Sequence, residues 1–269
     1  MNPRFSSDAI TNPAVLRDLR VAVTGGTSGL GLALAGALAG QGARVAFVAR
    51  HADAVRRTEL ALPGTHGVVA DVSRKEDIHP AAVQITGVLR GLDVLVNNAS
   101  SLGPVPLALL ADTQCEDLEH ALATNIVGPF RLTKALFGAL TSSAREGRGA
   151  VVVNVSSDAA IHAYPTWGAY GASKAALHHL TRIWDEEARS EGVRFLSIDP
   201  GDMDTPLHAL AVPDADRATL RHPDAAAREI VRAIVDALPP IGDERATSVV
   251  ERGGALHPRG DANVGWGPA

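Results

Sequence analysis

The stretch "VAVTGGTSGLG", Val21 to Gly31, decides the fold. It opens as a β-branched run, breaks into glycines at 25, 26, 29 and 31, and leads into the apolar stretch "LGLALAGALAG" over 30–40. A buried strand, a tight turn and a helix start bring backbone N–H groups and a helix dipole to one point, and glycines there let an anion come close. The spacing is T-G-x-x-x-G-x-G from Thr24 to Gly31, not G-x-G-x-x-G, because Leu34 stands where the third glycine would fall. A glycine turn with no ligand is the bland alternative, and the strand before and helix after weigh against it.

On either side of this loop the same alternation recurs. "LRVAVTGG", "ARVAFVAR", "HGVVADV", "LDVLVNNAS", "GAVVVNVSS" and "VRFLSIDPG" read as six strands. Helical patterns run over 28–42 (closing on Gly42), about 115–140, 169–191 and 222–238. Strands alternating with helices predict an α/β single domain with a parallel, doubly wound sheet covered on both faces. Residues 1–19 read as a polar N-terminal extension, 20–250 as the domain, 201–222 as a long substrate loop, and 251–269 as a C-terminal tail. "TSVVERGG", 247–254, is a candidate edge strand.

The composition bounds the function. A chain of 269 residues, 46% hydrophobic and 20% charged, suits one large α/β domain. A net charge of −5 argues against nucleic acid as partner. The single cysteine, Cys115, excludes a disulfide within the chain and points to a reducing compartment. The N-terminus has no apolar signal core, and the apolar run at 30–40 is too short for a bilayer, which needs about 20 residues. The expectation is a soluble cytoplasmic protein with no membrane partner. Ten histidines match no metal-ligand spacing, so no metal is expected.

A second stretch carries chemistry. "AYGASKAALHHL", 169–180, holds Tyr170, one of two tyrosines, and four residues later Lys174, one of three lysines. Residues four apart share a helix face. A free phenol ionises near ~10, and a neighbouring cation lowers that value, so the pair makes a tunable proton donor and acceptor. Ser157 ends a strand 13 residues earlier, where a hydroxyl can bond a substrate oxygen. Asn125 lies inside a helical pattern that disfavours asparagine, beside Gly128 and Pro129. A surface pair for Tyr170–Lys174 and a local kink at Asn125 are the plain alternatives. His162, Tyr164 and Trp167 are candidates to line a substrate pocket or to pack a loop.

From about Leu19 to Leu238 the chain resembles the short-chain dehydrogenase/reductase (SDR) family, whose fold is of the Rossmann type. The family's glycine motif falls on Thr24, Gly25, Thr27, Ser28, Gly29, Leu30 and Gly31. Its adenine-contacting Asp-Val is Asp71-Val72, and its N-N-A-G is Asn97, Asn98, Ala99 and Ser100. Its catalytic Asn, Ser, Tyr and Lys fall on Asn125, Ser157, Tyr170 and Lys174. Its P-G-x-x-x-T, which holds the nicotinamide carboxamide, is Pro200, Gly201 and Thr205. Ser100 departs from the pattern by replacing a glycine, Asp202 by placing a charge after Pro-Gly, and the C-terminus by lacking the family's last strand and glycines.

The resemblance implies hydride transfer between a nicotinamide and a small or medium carbonyl compound or secondary alcohol. Tyr170 would move the proton, Lys174 would lower its pKa and bond the nicotinamide ribose, Ser157 would orient the substrate oxygen, and Asn125 would hold a relay water. It also implies a homodimer or homotetramer, paired through the helices near 115–140 and 169–190. NADP(H) is expected over NAD(H), because the second strand ends in Ala49-Arg50 where an NAD site places an acid, and Arg50 suits a 2′-phosphate. Asp53 is the contrary charge. A cofactor-binding sensor or scaffold without turnover, and an isomerase or dehydratase of the same fold, are the competing functions.

Overall fold

The computed structural model describes residues 13–239. In chain order the elements are α1 (Pro13–Leu16), β1 (Arg20–Thr24), α2 (Gly29–Gly40), β2 (Arg44–Ala49), α3 (Ala52–Ala61), β3 (His66–Val69) and α4 (Lys75–Leu89). Then come β4 (Val94–Asn97), α5 (Cys115–Leu122), α6 (Gly128–Arg145), β5 (Ala150–Val155), α7 (Gly168–Ala188), β6 (Val193–Ile198), α8 (Pro206–Ala211) and α9 (Pro223–Ala237). All six expected strands form, and they make one parallel sheet in the order β3-β2-β1-β4-β5-β6. The candidate strand at 247–254 lies outside the described residues.

The strands are apolar on both faces because both faces are covered. Val21, Val23, Val94, Val96, Val151 and Val153 point into a core shared with Leu34 and Leu38 of α2 and Ile230 and Ile234 of α9. Ala22, Leu95 and Val152 point the other way, onto Ile78 and Ile85 of α4 and Leu132 and Leu136 of α6. The period-2 alternation divides the sheet between two layers of helices. At one end Asp93, fully buried, binds Arg20 at 2.6 Å, Arg148 at 2.9 Å and the Ser143 hydroxyl at 2.6 Å.

Two sequence readings change. Leu16 and Leu19, inside the segment read as a polar extension, are buried in the core. The segment 201–222 is ordered: it carries α8 and a short turn at Arg217–Thr219. Its ends are tied by backbone bonds between Asp204 and Arg221 and between Arg221 and Asp202. Arg217 clamps Asp204 at 2.8 Å. Paired charges and backbone bonds hold this excursion, and neither leaves an apolar periodicity to read.

The strand order reverses between β1 and β4. In an open parallel sheet this switch point opens a crevice at the C-terminal strand ends.

Candidate active site

A cleft of about 700 Å³ lies at those strand ends. One wall is the glycine loop. Gly25 N and Gly26 N both donate to Val48 O, folding the chain sharply out of β1. Gly25 has φ +70°, which disfavours any side chain. A Cβ on Gly31 would lie 2.2 Å from Gly25 O, so glycine is required there by the loop's own backbone. A Cβ on Gly29 would come within 3.1 Å of Thr205, whose residue closes over the loop from the opposite wall. This bare backbone cradle at the start of α2 fits the pyrophosphate of a dinucleotide.

The structure divides the expected cofactor residues. Gly25, Thr27, Ser28, Gly29 and Leu30 line the cleft, as do Arg50, Asp71, Val72, Asn98 and Ala99, and Pro200, Gly201 and Thr205 on the far side. Thr24 and Gly31 stand behind it. The Thr24 hydroxyl accepts from Asn98 N at 2.9 Å and Ala99 N at 3.0 Å, while the Asn98 amide donates to Thr24 O at 2.8 Å. These bonds lock β1 to the chain leaving β4, so Thr24 and Asn98 shape the crevice. The Thr205 hydroxyl is occupied in capping α8, accepting from His208 N at 3.2 Å.

At the adenosine end, Arg50 is exposed at the tip of β2. Burial would raise the Asp71 carboxyl, but the Ser73 hydrogen bonds and then the Arg50 charge hold it below the usual range.

Tyr170 and Lys174 lie on one face of α7, as their spacing predicts, and both are buried, 8% and 2% exposed. Lys174 Nζ donates to Val155 O at 2.7 Å and stands 5.5 Å from the Tyr170 ring centroid. Burial pushes the Tyr170 phenol up to about 12. The Ser157 hydroxyl pulls it down, Asp199 and Asp158 push it further up, and the Ser100 hydroxyl lowers it. Burial also brings Lys174 down to about 8, against the opposing charge of Asp199. The lowered phenol expected from the pairing is therefore corrected. Both groups are desolvated, and the ammonium is directed at a backbone carbonyl, so its field does not offset the loss of water.

Ser157 lines the cleft, and its hydroxyl donates to Asp158 Oδ1 at 3.0 Å and accepts from Ala159 N at 3.2 Å. Asp158 Oδ2 accepts from the Tyr164 hydroxyl at 2.8 Å. Burial raises the Asp158 carboxyl, and the bonds from Tyr164 and Ser157 more than reverse this. Sequence reasoning missed Asp158 and Asp199, whose signals are a carboxylate directly after Ser157 and another directly before Pro200-Gly201. Tyr164 and Trp167 line the cleft. His162 sits outside its lining, its ring 6.3 Å from that of Tyr164.

Asn125 does not line the cleft. It lies in a π-helical turn, Ala123–Val127, between α5 and α6. Its amide donates to Ser101 O and to the Ser173 hydroxyl, both at 2.8 Å, and its carbonyl oxygen accepts from Ser101 N at 2.8 Å and from the Ser100 hydroxyl at 3.2 Å. Its side chain is thus engaged with protein, and it binds the loop after β4 to α7.

The chain matches the short chain dehydrogenase family model over residues 20–216. It is 30% identical over 214 residues to an uncharacterized oxidoreductase of Staphylococcus aureus (strain MRSA252), covering 79% of this chain and 89% of that one. A 3-ketoacyl-(acyl-carrier-protein) reductase from Brucella melitensis, solved with NADH, superposes with a TM-score of 0.75 at 24% identity, covering 80% of this chain and 90% of the other. A short chain dehydrogenase from Shigella flexneri 2a strain 301, solved with NADP, gives 0.74 at 24%, covering 82% and 91%. With its parallel sheet, glycine cradle and buried Tyr170–Lys174 pair, this chain belongs to the short-chain dehydrogenase/reductase family and is an NAD(P)-dependent oxidoreductase acting on CH–OH or C=O groups.

Proposed function

We propose that the protein is an NADPH-preferring reductase of small or medium carbonyl compounds, and that Tyr170 is its proton donor. The observation that carries this reading is the Tyr170 phenol, buried and raised to about 12 beside a cleft at the sheet's switch point. A group with that value holds its proton at neutral pH and can release it to an oxygen that gains negative charge. When bound, the nicotinamide supplies or accepts the hydride.

The chain's own residues do the rest. Tyr170 gives its hydroxyl proton to the substrate oxygen in reduction and takes it back in oxidation. Ser157 orients that oxygen by turning its hydroxyl proton to it from Asp158, which keeps the Tyr164 hydroxyl as a donor. Lys174 spans from Val155 toward the cofactor ribose, and Asn125 fixes the loop at 100–101 against α7. Leu102 and Trp167, with Leu207 of α8, give the substrate end an apolar wall. Arg50 reads the 2′-phosphate.

The same reading includes a cytoplasmic setting and a homodimer or homotetramer. Phe130 of α6 and Ile183 of α7, 39% and 42% exposed, lie on the helices that would pair. Sedimentation velocity at micromolar concentration tests the assembly, and a monomer would overturn that part. No helix among the described residues is long and apolar enough to cross a membrane. A panel of ketones and aldehydes, followed at the nicotinamide absorbance with NADPH and with NADH, tests the function. Turnover of at least one carbonyl class with NADPH is expected; none across the panel, with cofactor bound, would contradict it.

A further inference from the structure

Arg221 stands behind the cleft, two residues ahead of α9, and grips the chain that leaves β6. Its guanidinium Nη1 donates to Pro200 O at 2.9 Å, and its Nη2 donates to Glu229 Oε1 of α9 at 2.7 Å. Its backbone N donates to Asp202 O at 3.0 Å, and its O accepts from Asp204 N at 2.9 Å. The two backbone bonds form a short parallel bridge between Met203 and Arg221.

The turn that this arginine holds is one wall of the cleft. Pro200, Gly201 and Thr205 line it. Gly201 has φ +71°, so the chain bends sharply after Pro200. A Cβ on Gly201 would lie 3.6 Å from Arg221 Cδ and Nη1, so the arginine side chain runs along the back of the bend. From within the turn, Gly201 N is held by Asp199 Oδ1 at 2.9 Å. α9, by contrast, is set in the core through Ala227, Ile230 and Ile234. The planar fork of Arg221 therefore ties the Pro200 carbonyl to a helix that is packed on the sheet.

We propose that Arg221 is a positioning residue for the nicotinamide end of the cofactor, acting through the backbone of Pro200 and Gly201. This rests on the reading of the cleft as a nicotinamide site with those two residues at the carboxamide. The opposite wall, with the glycine loop and Arg50, serves the pyrophosphate and the adenosine. Loss of the Arg221 fork should therefore be felt by the nicotinamide and not by the rest of the dinucleotide.

The test measures, by isothermal titration, the binding of NADPH and of 2′-phospho-ADP-ribose, which is the same molecule without its nicotinamide. Arg221→Ala keeps the backbone bonds to Asp202 and Asp204 and the Arg217–Asp204 pair, so the loop retains its other ties. It should bind NADPH about tenfold more weakly than the parent and the fragment within about twofold. Glu229→Ala, at an exposed position, leaves the Pro200 bond in place. It should show the same split at about threefold, and it carries the test if Arg221→Ala does not fold. Equal losses for NADPH and the fragment, or an unchanged NADPH affinity, would overturn the proposal. Failure of the NADPH reading shows separately, as a parent that binds NADH more tightly; NADH and ADP-ribose then form the pair, with the same split expected. A parent that binds neither cofactor would refute the nicotinamide site itself.

Discussion

Lys174 stands one helical turn after Tyr170, yet its ammonium bonds Val155 O at 2.7 Å and lies 5.5 Å from the Tyr170 ring centroid. The two share a buried wall without a direct bond, and burial moves them in opposite directions, the phenol to about 12 and the ammonium to about 8. Each is pushed toward its neutral form.

A pH profile follows with a definite sign. Oxidation of an alcohol needs the phenolate, so its rate should climb about tenfold per pH unit through the alkaline range and level only toward about 12. Reduction needs the phenol and should stay flat through neutral pH. Lys174 carries its charge below about 8, so the deficit of Lys174→Ala in oxidation should be largest below that pH and narrow above it. Steady-state rates in both directions at saturating cofactor measure this. An oxidation limb that levels near neutral pH would contradict the raised phenol.

Cofactor choice should follow Arg50. Arg50 lines the cleft at the end of β2 with the sign a 2′-phosphate needs, close enough to Asp71 to lower its carboxyl. A hydrogen bond to a charged group contributes ~1.5–3 kcal/mol, or roughly 10- to 150-fold in affinity. Arg50→Ala should weaken NADPH by about that factor and leave NADH nearly unchanged. The ratio of kcat/KM for the two cofactors, at fixed salt, decides; an unchanged ratio would mean the phosphate is read elsewhere.

Acid stability should depend on Asp93. Its carboxyl is fully buried against Arg148, Arg20 and Ser143, and it is held at about 2, below its ordinary 3.8, although burial alone would raise it. A depressed carboxyl stabilises the fold above its unfolded value and loses that contribution as pH falls from about 3.8 through about 2. Asp93→Asn leaves two arginines facing a neutral amide and should cost about 3 kcal/mol at neutral pH. Denaturant unfolding from pH 7 down to 2 should show the gap between parent and variant closing in that window. A constant gap would show that the carboxylate's charge is not what binds this end of the sheet.

The sequence reading recovers the six strands because each is apolar on both faces, as in "AVVVNV" of β5, fully buried along its length. It leaves out α3 and α4. In α3 only Val55 and Thr58 are buried, too few to mark a face, and Pro80 interrupts the pattern of α4. The spacing of Tyr170 and Lys174 was readable because a helix turns every 3.6 residues. Their protonation was not, because it depends on burial by walls distant in sequence. Asn125 raised a question in the sequence that the π-helical turn answers: the extra residue swings its amide between Ser101 and Ser173. Thr24 and Gly31 match the motif letter by letter, yet they serve the loop's own backbone.

Replacement of Tyr170 by phenylalanine tests the central claim most directly. The ring, 8% exposed and packed edge-on against Trp167 at 5.7 Å, keeps its place while the proton is removed. Turnover of the best carbonyl substrate should fall at least about a thousandfold, with cofactor affinity within a fewfold of the parent, because the hydroxyl acts at the chemical step. A Tyr170→Phe enzyme that binds cofactor and keeps most of its kcat would contradict the assignment of Tyr170 as the proton donor.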